Sequence, residues 1–141
     1  MEQGARLKDE WFLRDLPDNS QNPPEQVAEL HRRIREFLTK HREVTAVFCL
    51  KHVFVPTVEM VAHELGLSIP EDLSLISFDS PMRYNQRVKP LTHLRQNEER
   101  MASEALAALK QAMSGNRDRT ARTVPVDLVI GETTGPARVT V

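Results

Sequence analysis

Polar and charged residues stand directly after each of two apolar runs in the sequence. The runs are residues 45–50 and 73–78, and the residues that follow them are Lys51, His52, Asp79, Ser80 and Arg83. A carboxylate accepts hydrogen bonds from ligand hydroxyls, whereas an ammonium group pairs with an anion. If both runs are parallel strands, these side chains share the sheet edge at which ligands bind. The alternative for Asp79 is a role in capping a nearby helix or turn.

His52 and Asp79 are also the residues that an acid–base enzyme would use. No nucleophile or metal constellation accompanies them: His63 and Glu64 begin a zinc motif whose second histidine is replaced by Leu67. The five glycines form no phosphate-binding loop. The single cysteine, Cys49, lies inside an apolar run, where a buried thiol is expected. A small α/β enzyme is therefore the least favoured function, and no cofactor or metal is expected.

Composition places the chain among ordinary globular domains. Its 141 residues suffice for one core, and a net charge of −1 gives no general attraction to nucleic acid. The basic stretch 31–35 stands between Glu29 and Glu36, which is typical of a solvated helix face. No apolar run approaches the ~20 residues that cross a bilayer, and the first residues do not resemble a signal peptide. These features predict a cytoplasmic location without membrane contact.

Strand-like and helix-like segments alternate along the chain. Proline at residues 23 and 24 predicts a helix start, and apolar spacing continues that helix to about residue 41. The two apolar runs are typical of strands that are buried on both faces. They flank a helix over 53–65 that Gly66 closes, which predicts a βαβ unit in a parallel α/β sheet. We predict four segments. Residues 1–22 form a strand at 11–13 and a loop, and residues 23–96 form the βαβ core. Residues 97–115 form a helix, and residues 116–141 form a loop, a last strand at 124–130 and a tail.

Several of these blocks together resemble the effector-binding domain of the lac/galactose repressor (LacI/GalR) family of transcriptional regulators. The blocks are TAVFCL (45–50), LGL (65–67), IPEDLSLISFD (69–79), PLTHLRQ (90–96) and VDLVIGETT (126–134). The resemblance spans roughly residues 10–136. It implies the type I fold of periplasmic sugar-binding proteins, in which two α/β lobes enclose a sugar, a purine or a similar effector. This chain is similar to the C-terminal lobe.

The same resemblance implies roles for individual residues. Five positions would face the effector cleft: Lys51, His52, Asp79, Ser80 and Glu98. Six would lie at the dimer contact of the lobe: Val53, Phe54, Thr57, Val58, Val61 and Arg87. Most family members carry Asn-Asp where Lys51 and His52 stand, and glycine where Ser77 stands. These departures favour an anionic effector, or else a site that is no longer used.

The extent of the resemblance also departs from the family. The chain contains no helix-turn-helix pattern, so operator DNA would be bound only through a head outside it. The sequence has no recognisable counterpart of most of the other lobe. It also has none of the opening strand and helix of this lobe. In the family the helix beginning near residue 97 packs on that other lobe. Another surface would have to bury the apolar residues of this helix, which are Met101, Leu106, Leu109 and Met113. This predicts self-association, as a homodimer or a swapped oligomer.

The function expected from the sequence is that of an effector-sensing and dimerising fragment of a LacI/GalR-type regulator. The effector would be a sugar or a related small molecule. The second hypothesis is a periplasmic-type solute receptor with the same fold, which a secretion signal would favour.

Overall fold

The computed structural model describes residues 8–17, 23–79, 89–115 and 120–138. Its helices are α1 (Pro24–Lys40), α2 (Val55–Glu64) and α3 (Glu98–Met113). Its strands are β1 (Ala46–Cys49), β2 (Ser74–Phe78), β3 (Thr92–Arg95) and β4 (Asp127–Val129). Short 3-10 turns lie at Asp9–Trp11 and His52–Phe54. The predicted mixed α/β class is confirmed.

One four-stranded sheet, in the order β1-β2-β3-β4, organises the chain. β1, β2 and β3 are parallel, whereas β4 runs antiparallel to β3. α2 connects the parallel strands β1 and β2, as the predicted βαβ unit requires. The last residues of β1, β2 and β3 therefore meet at one edge, called the carboxyl edge below.

α1 and α2 cover one face of this sheet. α1 begins at the predicted prolines and buries Leu30, Ile34 and Leu38. The chain leaves α2 through Gly66, whose φ of 70° is a conformation that glycine adopts readily. The core joins these helices to the strand residues Cys49 and Leu75 and to Leu73, directly before β2. Burial raises the pKa of the Cys49 thiol to about 12, so this thiol stays protonated and packs as an apolar group.

The described residues cover the opposite face of the sheet only in part: Ser74 and Thr92 on this face are 9% and 1% exposed, whereas β1 is open. β1 was predicted to be buried on both faces, and this is wrong: Phe48 is 48% exposed and Leu50 is 73% exposed. The reason is the two-residue repeat of a strand, which directs Val47 and Cys49 toward the helices and Phe48 and Leu50 away from them. The described residues thus form a sheet with a helical layer on one side.

The N-terminal strand predicted at residues 11–13 is also wrong. Trp11 lies in a 3-10 turn, where its backbone N–H donates to the Lys8 carbonyl at 3.0 Å. The segment is attached to the rest of the chain by side chains. The Trp11 indole donates to Glu43 at 3.2 Å, and the Arg33 guanidinium donates to the carbonyl oxygens of Arg14 and Asp15. Its apolar residues therefore reflect packing beside α1 rather than strand pairing.

α3 differs from the other two helices because none of its sixteen residues, all of them described, is buried. Its start is well formed, since the Asn97 side chain accepts a hydrogen bond from the Arg100 N–H at 2.9 Å. Its apolar residues remain exposed in the single chain. Across the described ranges, no helix is long and apolar enough to span a membrane.

Replacement of Leu75 tests how far stability depends on the helix-covered face. Leu75 is 0% exposed. We expect Leu75→Ala to lower the free energy of unfolding by about 2–5 kcal/mol, because it leaves a cavity between β2 and the helices. Met60→Ala, on the exposed side of α2, is the control and should change it by less than about 0.5 kcal/mol. Urea unfolding measures both, and equal effects would contradict the assignment of the core.

A charged cluster joins α1 to the end of α2. Glu64 lies 2.9 Å from His31 and accepts a hydrogen bond from Arg35 at 2.7 Å. The hydrogen bond with His31, then the charges of His31 and Arg35, lower the pKa of Glu64 below its ordinary value of 4.5. A carboxylate with a lowered folded-state pKa stabilises the fold above its unfolded pKa. That contribution is lost as the pH falls through the folded-state value.

Glu64→Gln tests this cluster through its pH dependence. At neutral pH the variant should unfold at a lower urea concentration than the parent chain, because a neutral amide cannot pair with Arg35. The difference between the two midpoints should shrink as the pH falls below about 4.5, where the parent carboxylate also becomes neutral. A difference that stays constant from neutral to acidic pH would show that the ion pair does not stabilise the fold.

Candidate functional site

Asp79 occupies the centre of the carboxyl edge, directly after β2. Its φ of 60° is a left-handed conformation that aspartate tolerates better than most residues. Its N–H donates to the Leu94 carbonyl at 2.8 Å, and the Ser77 hydroxyl donates to its carbonyl at 2.5 Å. The carboxylate accepts hydrogen bonds from the Gln96 backbone at 3.3 Å and from Nε2 of Gln96 at 2.6 Å. Asp79 therefore links the ends of β2 and β3.

The carboxylate of Asp79 retains capacity for a ligand in this arrangement. Two carboxylate oxygens offer about four acceptor directions, and Gln96 uses two of them. Asp79 itself is only partly buried. Both hydrogen bonds that the described residues give to this carboxylate come from Gln96 and none from His52. The turn-capping alternative for Asp79 thus describes part of its role, and the partner that it requires, Gln96, was not singled out in the sequence.

The register of β1 and β2 brings Lys51 to the same edge. Cys49 pairs with Ser77, and Lys51 and Asp79 each follow two residues later. Lys51 is exposed and His52, in the turn before α2, is partly buried. Glu98 lies in the first turn of α3, just after the end of β3. Ser80, Arg83 and Arg87 lie outside the described residues.

An open cleft of about 510 Å³ adjoins this edge. Phe78, Gln96 and Asn97 line it from the strand ends, and α3 and the chain before β4 form its walls. The other lining residues are Met101, Glu104, Ala105, Ala108, Thr120, Arg122, Val124, Pro125 and Val126. The volume lies within the usual range of small-molecule sites. Mostly apolar walls with a few amides and one ion pair would suit a ligand with both polar and apolar parts.

Four residues predicted for the dimer contact are buried inside this chain. Phe54, Thr57, Val58 and Val61 are at most 9% exposed, because they form the side of the helical layer that packs on the sheet and α1. They are not available to contact a second chain directly. If α2 contacts a partner, the exposed residues that it offers are Pro56, Met60, His63 and Glu64. Val53 is half-buried. Among the described residues, no group of three histidine, cysteine or acidic side chains could hold a metal.

Residues 2–134 match the family model of the periplasmic binding protein-like domain. The chain belongs to this family. The HTH-type transcriptional repressor PurR of Erwinia tasmaniensis is 26% identical over 83% of this chain and 32% of its own length. PurR of Yersinia pestis is 30% identical over 62% of this chain and 26% of its own length. The chain thus spans about a third of the curated relatives that it matches.

Solved structures agree with this membership. A LacI family transcriptional regulator from Bifidobacterium animalis subsp. lactis aligns with a TM-score of 0.68 at 26% identity. The alignment covers 83% of this chain and 42% of that one. The lac repressor dimer bound to operator and the anti-inducer ONPF aligns with a TM-score of 0.66 at 21% identity, covering 77% and 38% of the two chains. The second likeness concerns the fold alone.

The role of Asp79 in joining β2 to β3 can be measured with two substitutions. Asp79→Asn keeps an acceptor oxygen and a residue type that tolerates positive φ, so the free energy of unfolding should fall by at most about 1 kcal/mol. Asp79→Ala removes both hydrogen bonds and strains the left-handed backbone, which should cost about 1–3 kcal/mol. Urea unfolding compares them. Equal losses for the two variants would mean that neither the acceptor nor the conformation matters.

Proposed function

We propose that this chain is the effector-sensing part of a LacI-type transcriptional regulator, built around the carboxyl edge of its sheet. The observation that carries the proposal is the position of Asp79. A partly exposed carboxylate is held by Gln96 at an edge shared with Lys51, beside a cleft large enough for a small molecule. Membership in the periplasmic binding protein-like family supports the same edge, because ligands of parallel α/β sheets bind there.

The effector is proposed to be a sugar or a related small molecule that carries a negative charge. Asp79 would accept hydrogen bonds from its hydroxyls, and Lys51 would pair with its anionic group. His52, Ser80 and Glu98 would complete the contacts from neighbouring strand and helix ends. Binding by groups from different segments would couple the ligand to their relative positions, which is how an effector shifts a protein between two states.

Operator DNA would be bound by a helix-turn-helix head that lies outside these 141 residues. Such a regulator would act in the cytoplasm and as a homodimer. A periplasmic solute receptor is not favoured, because the relatives named above are repressors and regulators by name. The same relatives favour a sensor over an enzyme.

Calorimetric titration of the 141-residue chain tests the proposed effector class. The probes are a neutral hexose, the same hexose as its 6-phosphate, and a purine nucleoside. We expect the hexose phosphate to bind most tightly. Lys51→Gln should weaken binding of the hexose phosphate by about tenfold, the equivalent of one ion pair near a surface. It should leave binding of the neutral hexose unchanged. Asp79→Asn should weaken binding of both sugars, because the amide has a hydrogen-bond donor where the carboxylate has an acceptor oxygen.

Lys110→Gln is the matched control, since Lys110 is an exposed lysine near the far end of α3. It removes the same charge at a distance from the carboxyl edge. Circular dichroism of every variant establishes that the fold is retained. The proposal fails if no probe binds the folded chain. It also fails if Lys110→Gln weakens binding of the hexose phosphate as much as Lys51→Gln does.

A further inference from the structure

A second pocket, of about 110 Å³, lies at the edge of the sheet opposite the carboxyl edge. We call it the amino-edge pocket, because it lies between the connections that lead from α1 into β1 and from α2 into β2. Arg138, beyond β4, completes it. The lining residues are Leu38, Thr39, His41, Arg42, Val44, Leu65, Leu67 and Arg138. None of them lines the cleft near Asp79, so the two sites are separate.

The volume of the amino-edge pocket admits only a small ligand. An apolar cavity of about 150 Å³ holds one benzene molecule, which has six non-hydrogen atoms. In the same proportion, a pocket of about 110 Å³ holds roughly four or five such atoms. Sugars and purines are larger than this. An effector of the class proposed above therefore does not fit the amino-edge pocket.

The lining of the amino-edge pocket combines positive charge with aliphatic surface. Arg42 and Arg138 each carry a guanidinium group, and none of the described residues that line the pocket is acidic. The neighbouring carboxylate of Glu43 is engaged elsewhere, since it lies 3.3 Å from Nδ1 of His41 and accepts a hydrogen bond from Trp11 at 3.2 Å. Half of the lining residues are leucine or valine. This combination suits a small anion that has an apolar part.

Arg138 supplies a hydrogen-bond donor that the described chain does not use. Its Nη2 donates to the backbone carbonyl of Arg42, whereas its Nε is buried and has no hydrogen-bond partner among the described residues. Buried donors without an acceptor are rare in proteins, because they have given up their hydrogen bonds to water. Nε and Nη2 lie on the same side of the guanidinium plane, and Nη2 carries a second hydrogen. A carboxylate can accept from this side with both of its oxygens.

We propose that the amino-edge pocket binds a short-chain aliphatic carboxylate of the size of acetate or propionate. The carboxylate would accept hydrogen bonds from Nε and Nη2 of Arg138, and the exposed Arg42 would add positive charge beside it. The alkyl part would contact the four aliphatic residues of the lining, Leu38, Val44, Leu65 and Leu67. The ligand would supply the acceptor that the buried Nε lacks. This site does not depend on the effector proposed for the carboxyl edge.

Nuclear magnetic resonance of the isotope-labelled 141-residue chain tests the site, because the Nε–H group of an arginine gives its own signal. Sodium propionate replaces sodium chloride at constant pH and ionic strength, and propionamide is the uncharged probe of the same size. We expect propionate to shift the Arg138 Nε signal and the backbone signals of Leu65 and Leu67. These shifts should saturate at concentrations on the order of millimolar, since the ligand is small. Propionamide should cause no saturable shift.

Arg138→Gln identifies the Nε signal by removing it. This variant should weaken propionate binding, measured at Leu65 and Leu67, by at least about tenfold. Arg100→Gln is the matched control, because Arg100 is an exposed arginine in the first turn of α3, outside the pocket. Arg100→Gln and Lys51→Gln should both bind propionate as the parent chain does, and the second result would separate this site from the carboxyl edge.

Leu67→Phe tests the pocket without changing a charge. The larger ring should occupy part of the volume and weaken propionate binding, and this variant replaces Arg138→Gln if the latter does not fold. The proposal is overturned if propionate causes no saturable shift or if propionamide causes the same one, since the pocket would then hold only water or bind without regard to charge. It is also overturned if Arg138→Gln folds and binds propionate as tightly as the parent chain.

Discussion

Burial of one face of the β1–β2–β3 sheet beneath α1 and α2 is the constraint on which the rest of the structure depends. Leu30, Val61 and Leu75 are fully buried where these layers meet. Because β1 and β2 are parallel, the chain must cross from the end of one to the beginning of the other, and α2 makes that crossing on the covered face. The crossing has a functional consequence, since it brings the ends of both strands, with Lys51 and Asp79, to the same edge.

At that edge, hydrogen bonds decide how Asp79 is presented. A carboxylate on a flexible chain would lose conformational entropy when it bound a ligand. Here the backbone N–H of Asp79 is bound to Leu94 and its side chain to Gln96, so much of that ordering is completed by folding. The left-handed backbone at Asp79 ends β2 and turns the chain at the edge. The site is thus a property of two adjacent strands rather than of one motif.

The layer arrangement also explains the walls of the cleft. Phe78 lies on the side of the sheet away from α1 and α2 and lines the cleft, and Val126 does the same from the segment before β4. The cleft therefore lies on the other side of the sheet from the helical layer, with α3 as its outer wall.

The sequence by itself determined the elements whose signals are local. Proline at residues 23 and 24, glycine at residue 66 and the apolar spacing of α1 fixed helix ends, and the runs at 45–50 and 73–78 indicated β1 and β2. The same runs placed Lys51 and Asp79 at strand ends. Only the tertiary structure decided which faces are covered, because an apolar strand residue has the same sequence signal whether or not a helix lies above it. It therefore corrected the expected burial of Phe48 and the strand at residues 11–13. It also revealed the partnership of Asp79 with Gln96, since residues 17 positions apart become neighbours only when β2 and β3 pair.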